Sequence, residues 1–238
     1  MICIMGGRPH LAHGALISAA GEALRREGEV YIVVPKQLTL QTELDLIRAL
    51  EPGGSFRLNV LSPERLCARI FDTAGKPEGE RVDDRGRVML ARRALNACEK
   101  QLKVYSGAGH RRGFPARAAR QLEILRQAGM TPKEVRALAA KREGLFAAKL
   151  TDMAQLLEQY LAFLDGGYLD GEGVFLAAAE EASASQAARC AGMVFYGFDL
   201  MPRPLHKLIA ALGAVCPVTL IFAADPDTHA PDADLYLA

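Results

Sequence analysis

The stretch Val30-Tyr31-Ile32-Val33-Val34-Pro35 decides the fold class of this chain. Its run of β-branched residues and tyrosine predicts a buried strand, and the proline marks the end of that strand. Leu40, Leu44 and Ile47 then recur at helical spacing on one face. The sequence therefore predicts a strand followed directly by an amphipathic helix.

The same succession of strand and helix occurs on both sides of this unit. Before it, the apolar run 2–5 ends in two glycines, and apolar positions at helical spacing fill residues 16–24. After it, residues 56–61 form a third strand candidate, and Ser62-Pro63 supplies an N-cap and a proline at the first helical position. Three consecutive β-α units predict a parallel sheet with right-handed crossovers.

From about residue 76 the strand pattern gives way to helices. Apolar stripes in residues 88–102 and 150–164 predict amphipathic helices. Between them, Thr131-Pro132-Lys133-Glu134 has the form of a capping box with proline at the first helical position. We therefore predict an all-helical insertion at residues 76–189.

The parallel sheet resumes after this insertion. Residues 193–198 and 218–223 are two further buried-strand candidates, joined by a helix around residues 205–212. The sequence thus predicts an α/β domain assembled from residues 1–75 and 190–238.

The composition excludes several classes of protein. Half of the residues are apolar and 24% are charged, which excludes a disordered chain, a collagen-like fibre and a coiled coil. Five scattered cysteines without a C-x-x-C pair predict neither a disulfide framework nor a zinc site, and are typical of reduced thiols in the cytoplasm. The only long apolar stretch, 208–224, is broken by Gly213 and Pro217, so we expect no membrane association.

The net charge of +1 conceals a strong asymmetry along the chain. Residues 76–150 carry 18 basic and 8 acidic side chains, whereas residues 151–238 carry 3 and 12. Such a division is typical of a surface that meets a polyanion or an oppositely charged neighbour. It is equally compatible with two segments that face and neutralise each other.

The turn after the first strand is where a nucleotide-binding sheet carries its phosphate loop. Such a loop needs glycine amides, then a lysine, and a Ser or Thr for magnesium. Here His13 stands in the lysine position and Gly14 in the Ser/Thr position, and Pro9 removes an amide donor. The strand at 194–196 also lacks a terminal acid for magnesium, because Asp199 comes about three residues late. The sequence favours an inactive phosphate loop over a divergent working one.

Two other strand ends carry polar groups at the edge where open parallel sheets bind ligands. Residues 33–43 present amides and hydroxyls, which can read base edges as well as phosphates. Residues 62–69 present two arginines four positions apart on one helical face. From composition alone, a helix-capping Thr39 and a solvated Gln37 explain the first segment better. No catalytic or metal-ligating set is predicted, because the histidines have no i, i+4 pairing.

Taken together, these segments resemble the N-terminal region of the AddB (RexB-like) subunit of bacterial AddAB helicase-nucleases. The most specific match is the V-P-x-Q-x-T-x-Q-x-E string from Val34 to Glu43. The other matching motifs occur in family order across nearly the whole chain: Gly7-Arg8, Val60 to Leu66, Lys149-Leu150-Thr151-Asp152 continuing to Tyr160, Tyr168-Leu169-Asp170, and Gly197-Phe198.

The resemblance implies a P-loop NTPase-like, superfamily-1 helicase-like domain in a subunit that is not the motor. Such proteins pair with an AddA-like helicase-nuclease and process broken double-stranded DNA for recombination and repair. They use this region to engage single-stranded DNA and to recognise the Chi sequence. Many members keep G-x-G-K-[ST] in the first turn, and this chain departs there, so neither ATP nor magnesium is expected.

The family's nuclease and iron-sulfur cysteines lie far downstream, so the resemblance implies a non-catalytic fragment of an ATP-dependent helicase-nuclease (deoxyribonuclease) subunit. Two alternatives stay open: a nucleotide hydrolase with an altered phosphate loop, and a docking module whose basic helices bind a protein partner. Phe198 is equally a candidate for the core. Position by position, the resemblance assigns DNA-facing roles to six residues: Gln37, Thr39, Thr42, Arg65, Arg69 and, as a stacking ring, Phe198.

Overall fold

The computed structural model describes residues 1–50 and 56–223, apart from the side chains of Pro9 and His10. Within that part the predicted α/β fold class is confirmed, because five parallel strands form a central sheet connected by helices. The last predicted segment, 190–238, is described up to residue 223. None of the helices in the described ranges combines the length and the hydropathy that crossing a bilayer requires.

The elements follow the predicted order, with strands and helices alternating until the insertion. In chain order they are β1 Ile2–Gly7, α1 Pro9–Leu24, β2 Val30–Val33, α2 Thr39–Leu50, β3 Leu58–Leu61, α3 Pro63–Ala74, β4 Glu80–Arg81, α4 Asp84–Ala97, α5 Phe114–Gln127, α6 Pro132–Ala140, α7 Gly144–Asp165, β5 Tyr168–Leu169, α8 Gly171–Glu181, β6 Gly192–Tyr196, α9 Arg203–Val215 and β7 Val218–Ala223.

The chain divides into two compact units. The first, called here the sheet unit, comprises residues 1–50, 56–76, 175–201 and 205–223 of the described chain. The second, called here the helical unit, comprises residues 77–174 and 202–204. Residues 175–189, which we assigned to the insertion, therefore belong with the sheet.

The central sheet has the strand order β1-β7-β6-β2-β3, and all of its pairs are parallel. Ile32 of β2 pairs with Val194 of β6 on one side and with Val60 of β3 on the other. All four residues of β2 are buried, as a central strand covered on both faces requires. Leu16 of α1 is fully buried in the same hydrophobic cluster as Ile32.

Helix α2 forms as predicted, but the apolar face identified from the sequence is not the one that meets the core. Leu40 and Ile47 are 69% and 48% exposed, whereas Thr42 and Leu46 are buried. Leu50 lies on the same side as these two, and a Cβ at Gly21 of α1 would lie 3.4 Å from its Cδ2. The helix carries apolar residues on two sides, and periodicity cannot say which of them meets the sheet.

The insertion is not entirely helical. Its first residues form β4 and residues near its end form β5, and the two strands pair in parallel through Glu80 with Tyr168 and Arg81 with Leu169. A two-residue strand leaves no periodic pattern in the sequence, so the helical prediction missed it. The predicted capping box is confirmed, since the Thr131 and Glu134 side chains each bond the other residue's backbone N–H.

Asp152, one of the motif residues of the helical unit, is a structural anchor. It is buried in α7, and its carboxylate accepts backbone N–H bonds from Lys103, Val104 and Tyr105 at 2.9, 2.7 and 2.9 Å. These three bonds fix the segment between α4 and α5 against α7. The residue therefore supports the packing of the helical unit.

Asp170, the second motif acid, has a comparable structural role. Its Oδ1 accepts the backbone N–H of Gly173 at 2.7 Å at the start of α8. The Arg126 guanidinium donates to both carboxylate oxygens, at 3.0 and 2.7 Å, and Asp170 is almost fully buried. This two-point ion pair ties α5 to the start of α8.

Candidate functional site

The carboxyl ends of three neighbouring strands, β6, β2 and β3, lie side by side at one edge of the sheet. The loops after β6 and β2 also touch. Gly197 has φ +75°, and a Cβ at that position would lie 2.8 Å from Cδ1 of Leu38. The structure therefore brings Gly197-Phe198 together with the segment that follows β2. We call this surface the strand-end edge.

The segment after β2 presents one predicted side chain freely at the strand-end edge. Gln37 lies in a short 3-10 turn between Pro35 and α2, is exposed, and has no partner among the described residues. The hydroxyl of Thr39 donates to the backbone carbonyl of Lys36 at 3.0 Å. Thr42 is only 5% exposed and faces the core. Gln37 is thus available for a ligand, Thr39 is partly used by its own turn, and Thr42 is not at the surface.

Helix α3 separates the two arginines that follow β3. Ser62 caps the helix by accepting the backbone N–H of Arg65 at 3.4 Å, which holds Arg65 in the first turn beside the strand-end edge. The side chain of Arg65 is exposed and has no partner within the described ranges. One turn later, the guanidinium of Arg69 donates to Glu29 at 3.2 Å. Glu29 precedes β2, so Arg69 points toward the opposite edge of the sheet.

Arg69 belongs to a small polar cluster at that opposite edge. Burial and the neighbouring Glu29 carboxylate raise the pKa of Tyr31 to about 12. The Tyr31 hydroxyl donates to Glu29. Tyr31 and Glu29 in turn raise the pKa of Arg69. Arg69 pairs with Glu29 at this opposite edge. It therefore lies away from Gln37 and Arg65, which are at the strand-end edge.

Phe198 is half-buried at the strand-end edge. Its ring lies 6.3 Å from that of Phe195, with an interplanar angle of 44°, and Phe195 is fully buried in β6. One side of the Phe198 ring therefore packs on the core while part of the ring remains accessible. The two predicted roles, core residue and stacking surface, are compatible at this position.

A single residue joins β1 to α1, at the place where a phosphate loop was considered. The strand ends at Gly7 and the helix begins at Pro9, so Arg8 alone lies between them. The carbonyl of Arg8 accepts the backbone N–H groups of Leu11 and Ala12 at 2.9 and 3.1 Å. A phosphate cradle needs such amides free and convergent. His13, in the predicted lysine position, is half-buried within the helix.

A cavity of about 440 Å³ lies at the edge opposite the strand-end edge. It opens between the residues that precede β2 and β6, where no ligand site was predicted. The groups around it bond largely to the protein itself; for example, the Thr73 hydroxyl accepts the backbone N–H of Gln186 at 3.0 Å. Its lining residues are Gly28, Glu29, Thr73, Ala184, Gln186, Arg189 and Cys190.

Sequence reasoning missed one cation at the strand-end edge. Lys36 is exposed in the same turn as Gln37, within the V-P-x-Q string that carried the resemblance. The sequence signal that could have identified Lys36 is its position between Pro35 and Gln37 in this string. Within the described residues, no group of three or more His, Cys, Asp or Glu side chains could hold a metal ion.

A family model described as "ADDB, N-terminal" matches residues 15–237. The chain belongs to this family. The match covers both the strand-end edge and the helical unit, so the family's domain includes the insertion and every strand of the central sheet except β1.

Curated relatives are named as one of the subunits of an ATP-dependent helicase/deoxyribonuclease. The protein from Alkaliphilus metalliredigens is 26% identical over 213 residues, which cover 88% of this chain and 18% of the relative. The protein from Desulforudis audaxviator is 32% identical over 202 residues, or 82% of this chain and 17% of the relative. The protein from Bacillus velezensis is 27% identical over 230 residues, which cover 91% of this chain and 20% of the relative. The chain thus spans about a fifth of the length of these relatives.

Proposed function

We propose that this chain is the non-motor, DNA-binding N-terminal region of a helicase-nuclease subunit that processes broken double-stranded DNA in recombination and repair. The observation that carries the proposal is the strand-end edge, where Gln37, Lys36, Arg65 and Phe198 follow three adjacent strands. An amide, two cations and a partly exposed ring match what an unpaired nucleotide offers: base edges, phosphates and a flat face.

The proposed ligand of the strand-end edge is single-stranded DNA, including the Chi sequence. The names of the relatives support the wider context, one subunit of an ATP-dependent helicase/deoxyribonuclease. An AddA-like partner subunit that supplies the motor is part of this proposal. The one-residue junction between β1 and α1 supports a binding role without ATP or magnesium in this region. Nuclease chemistry and any iron-sulfur cluster belong to other parts of such a protein.

The test is single-strand affinity of the helicase-nuclease complex with variants of the strand-end edge. Arg65→Ala should weaken binding by about 1 to 3 kcal/mol and reduce the dependence of log affinity on log salt by about one, because a phosphate contact is lost. Gln37→Ala should weaken binding without changing the salt slope, since an amide displaces no counterion. Both variants should also weaken the response to Chi.

Arg25→Ala is the matched control. Arg25 is an exposed arginine of the sheet unit, directly after α1 and therefore at the opposite edge of the sheet. This variant removes the same charge as Arg65→Ala, and it should leave both the affinity and the Chi response unchanged. Equal losses for Arg25→Ala and Arg65→Ala, or no loss for Arg65→Ala and Gln37→Ala, would refute the proposed site.

A further inference from the structure

A dense group of cations lies in the helical unit, outside the strand-end edge. Residues 85–120 contain ten Lys and Arg side chains and one acidic side chain, Glu99. All but Arg87 of these cations are exposed, and we call this set the basic surface. Its members are Arg85, Arg92, Arg93, Lys100, Lys103, Arg111, Arg112, Arg117 and Arg120.

The charge of the basic surface is not neutralised within the described part of the chain. Arg87 is half-buried and pairs with Asp84 and Glu123, both at 2.7 Å. None of the exposed cations forms an ion pair with another residue of the ranges 1–50 and 56–223. The guanidinium of Arg93 lies 4.2 Å from the centre of the Phe163 ring, a contact that leaves its charge in place.

The cations of α4, of the following segment and of α5 lie on elements that pack against one another. Gly109 lies directly on α4, because a Cβ there would be 2.4 Å from Oδ1 of Asn96. Asn96 is one turn beyond Arg92 on the exposed side of α4. Arg111-Arg112 follow Gly109 by two residues, and α5 begins at Phe114. The two exposed arginines therefore lie between the turn that packs on α4 and the start of α5.

The side chains around these cations distinguish between possible polyanions. The aromatic residues of the stretch, Tyr105 and Phe114, are half-buried and pack on each other with ring centres 5.3 Å apart. They offer no face for stacking of unpaired bases, which single-strand sites use. Met89 is the one large apolar side chain exposed between residues 85 and 120 of the described chain, which is too little for the apolar centre of a protein interface.

We propose that the basic surface binds the sugar-phosphate backbone of duplex DNA without reading its sequence. Duplex backbone binding requires many separated cations and neither stacking rings nor base-reading amides. The inference rests on the proposed function in taking DNA as the ligand, but it assigns a second surface and a different form of DNA. The duplex surface is in the helical unit, and the single-strand site is in the sheet unit.

The test measures duplex affinity of the full-length protein with the double variant Arg111→Ala/Arg112→Ala. A blunt duplex and a single strand of the same length serve as probes, at several salt concentrations. The variant should lower duplex affinity at least about tenfold at about 0.1 M salt, and it should reduce the salt slope by about two, because two phosphate contacts are lost. Single-strand affinity should change by less than about twofold, since that site lies elsewhere.

Lys141→Ala/Arg142→Ala is the matched control, because it removes an adjacent pair of exposed cations from the same unit, at the end of α6. It should leave duplex affinity unchanged. Arg111→Lys/Arg112→Lys retains the charge and should keep duplex affinity within about threefold. Equal losses for both alanine pairs, an equal loss on single strands, or no loss on the duplex would each overturn the inference. If Gln37→Ala and Arg65→Ala leave single-strand affinity unchanged while the duplex results hold, only the proposed role of the strand-end edge fails.

Discussion

Removing the Asp152 carboxylate should destabilise the helical unit more than any exposed substitution in it. Asp152 accepts three backbone N–H bonds of 2.9, 2.7 and 2.9 Å and is 1% exposed. Hydrogen bonds to a charged group contribute roughly 1.5 to 3 kcal/mol each, and bonds that share one acceptor group do not add fully. Because the three bonds share one carboxylate and the Lys103–Asp152 bond is only partly buried, we expect Asp152→Ala to cost about 3 to 5 kcal/mol.

Denaturant unfolding followed by circular dichroism measures this cost. Amide hydrogen exchange supplies a more specific readout, since the N–H groups of residues 103–105 should lose their protection while those of α6 keep theirs. Thr151→Ala is the control: Thr151 is exposed and donates only to the carbonyl of Ala147 on its own helix, at 3.0 Å. That variant should stay within about 0.5 kcal/mol of the wild type. A cost below about 1 kcal/mol for Asp152→Ala, with the three amides still protected, would refute the anchoring role.

Three further predictions concern pH, backbone strain and nucleotide. Burial, and then the charge of Asp170, raises the pKa of the Glu172 carboxyl in the folded protein. The contribution of Glu172 to stability is therefore greatest below its unfolded-state pKa, and it is lost as pH rises through its folded-state pKa. Thermal unfolding should therefore show Glu172→Gln to be more stable than the wild type at neutral pH, with the difference vanishing below about pH 4; a constant difference would contradict the assignment. Gly197→Ala should cost about 1 to 3 kcal/mol and weaken single-strand binding, because its Cβ would displace Leu38. Gly113→Ala, at φ +79° with open space around it, should show the smaller cost of strain alone. Titration with ATP and magnesium should show no saturable binding to this chain, whereas binding that is lost in His13→Ala would restore the nucleotide-hydrolase alternative.

The order of strands and helices could be predicted from sequence because each element is long enough to carry a period. The run Val30 to Val34, the cap at Ser62 and the capping box at Thr131 are local signals, and the structure confirms the elements that they predict. The pairing of β4 with β5 could not be predicted, because two-residue strands have no period. The core-facing side of α2 could not be predicted either, because the helix carries leucines on both sides.

The composition of the candidate site was less predictable than the fold. Gln37, Arg65 and Phe198 were found through motif positions, and the parallel sheet then places them at one edge. The pairing of Arg69 with Glu29 joins residues forty positions apart, so no local sequence pattern predicts it. The asymmetry of charge pointed to the insertion, but the packing of its cation-bearing elements against one another depends on contacts such as that of Gly109 with α4.

Site-specific photocrosslinking tests the central claim, that the strand-end edge contacts unpaired DNA, most directly. A photoreactive residue at position 37 or 65 of the full-length protein should crosslink to a single-stranded oligonucleotide, and an excess of unlabelled single strand should compete. The same residue at position 25, on the opposite edge, should give no crosslink above background. Efficient crosslinking from position 25 together with none from positions 37 and 65 would contradict the account.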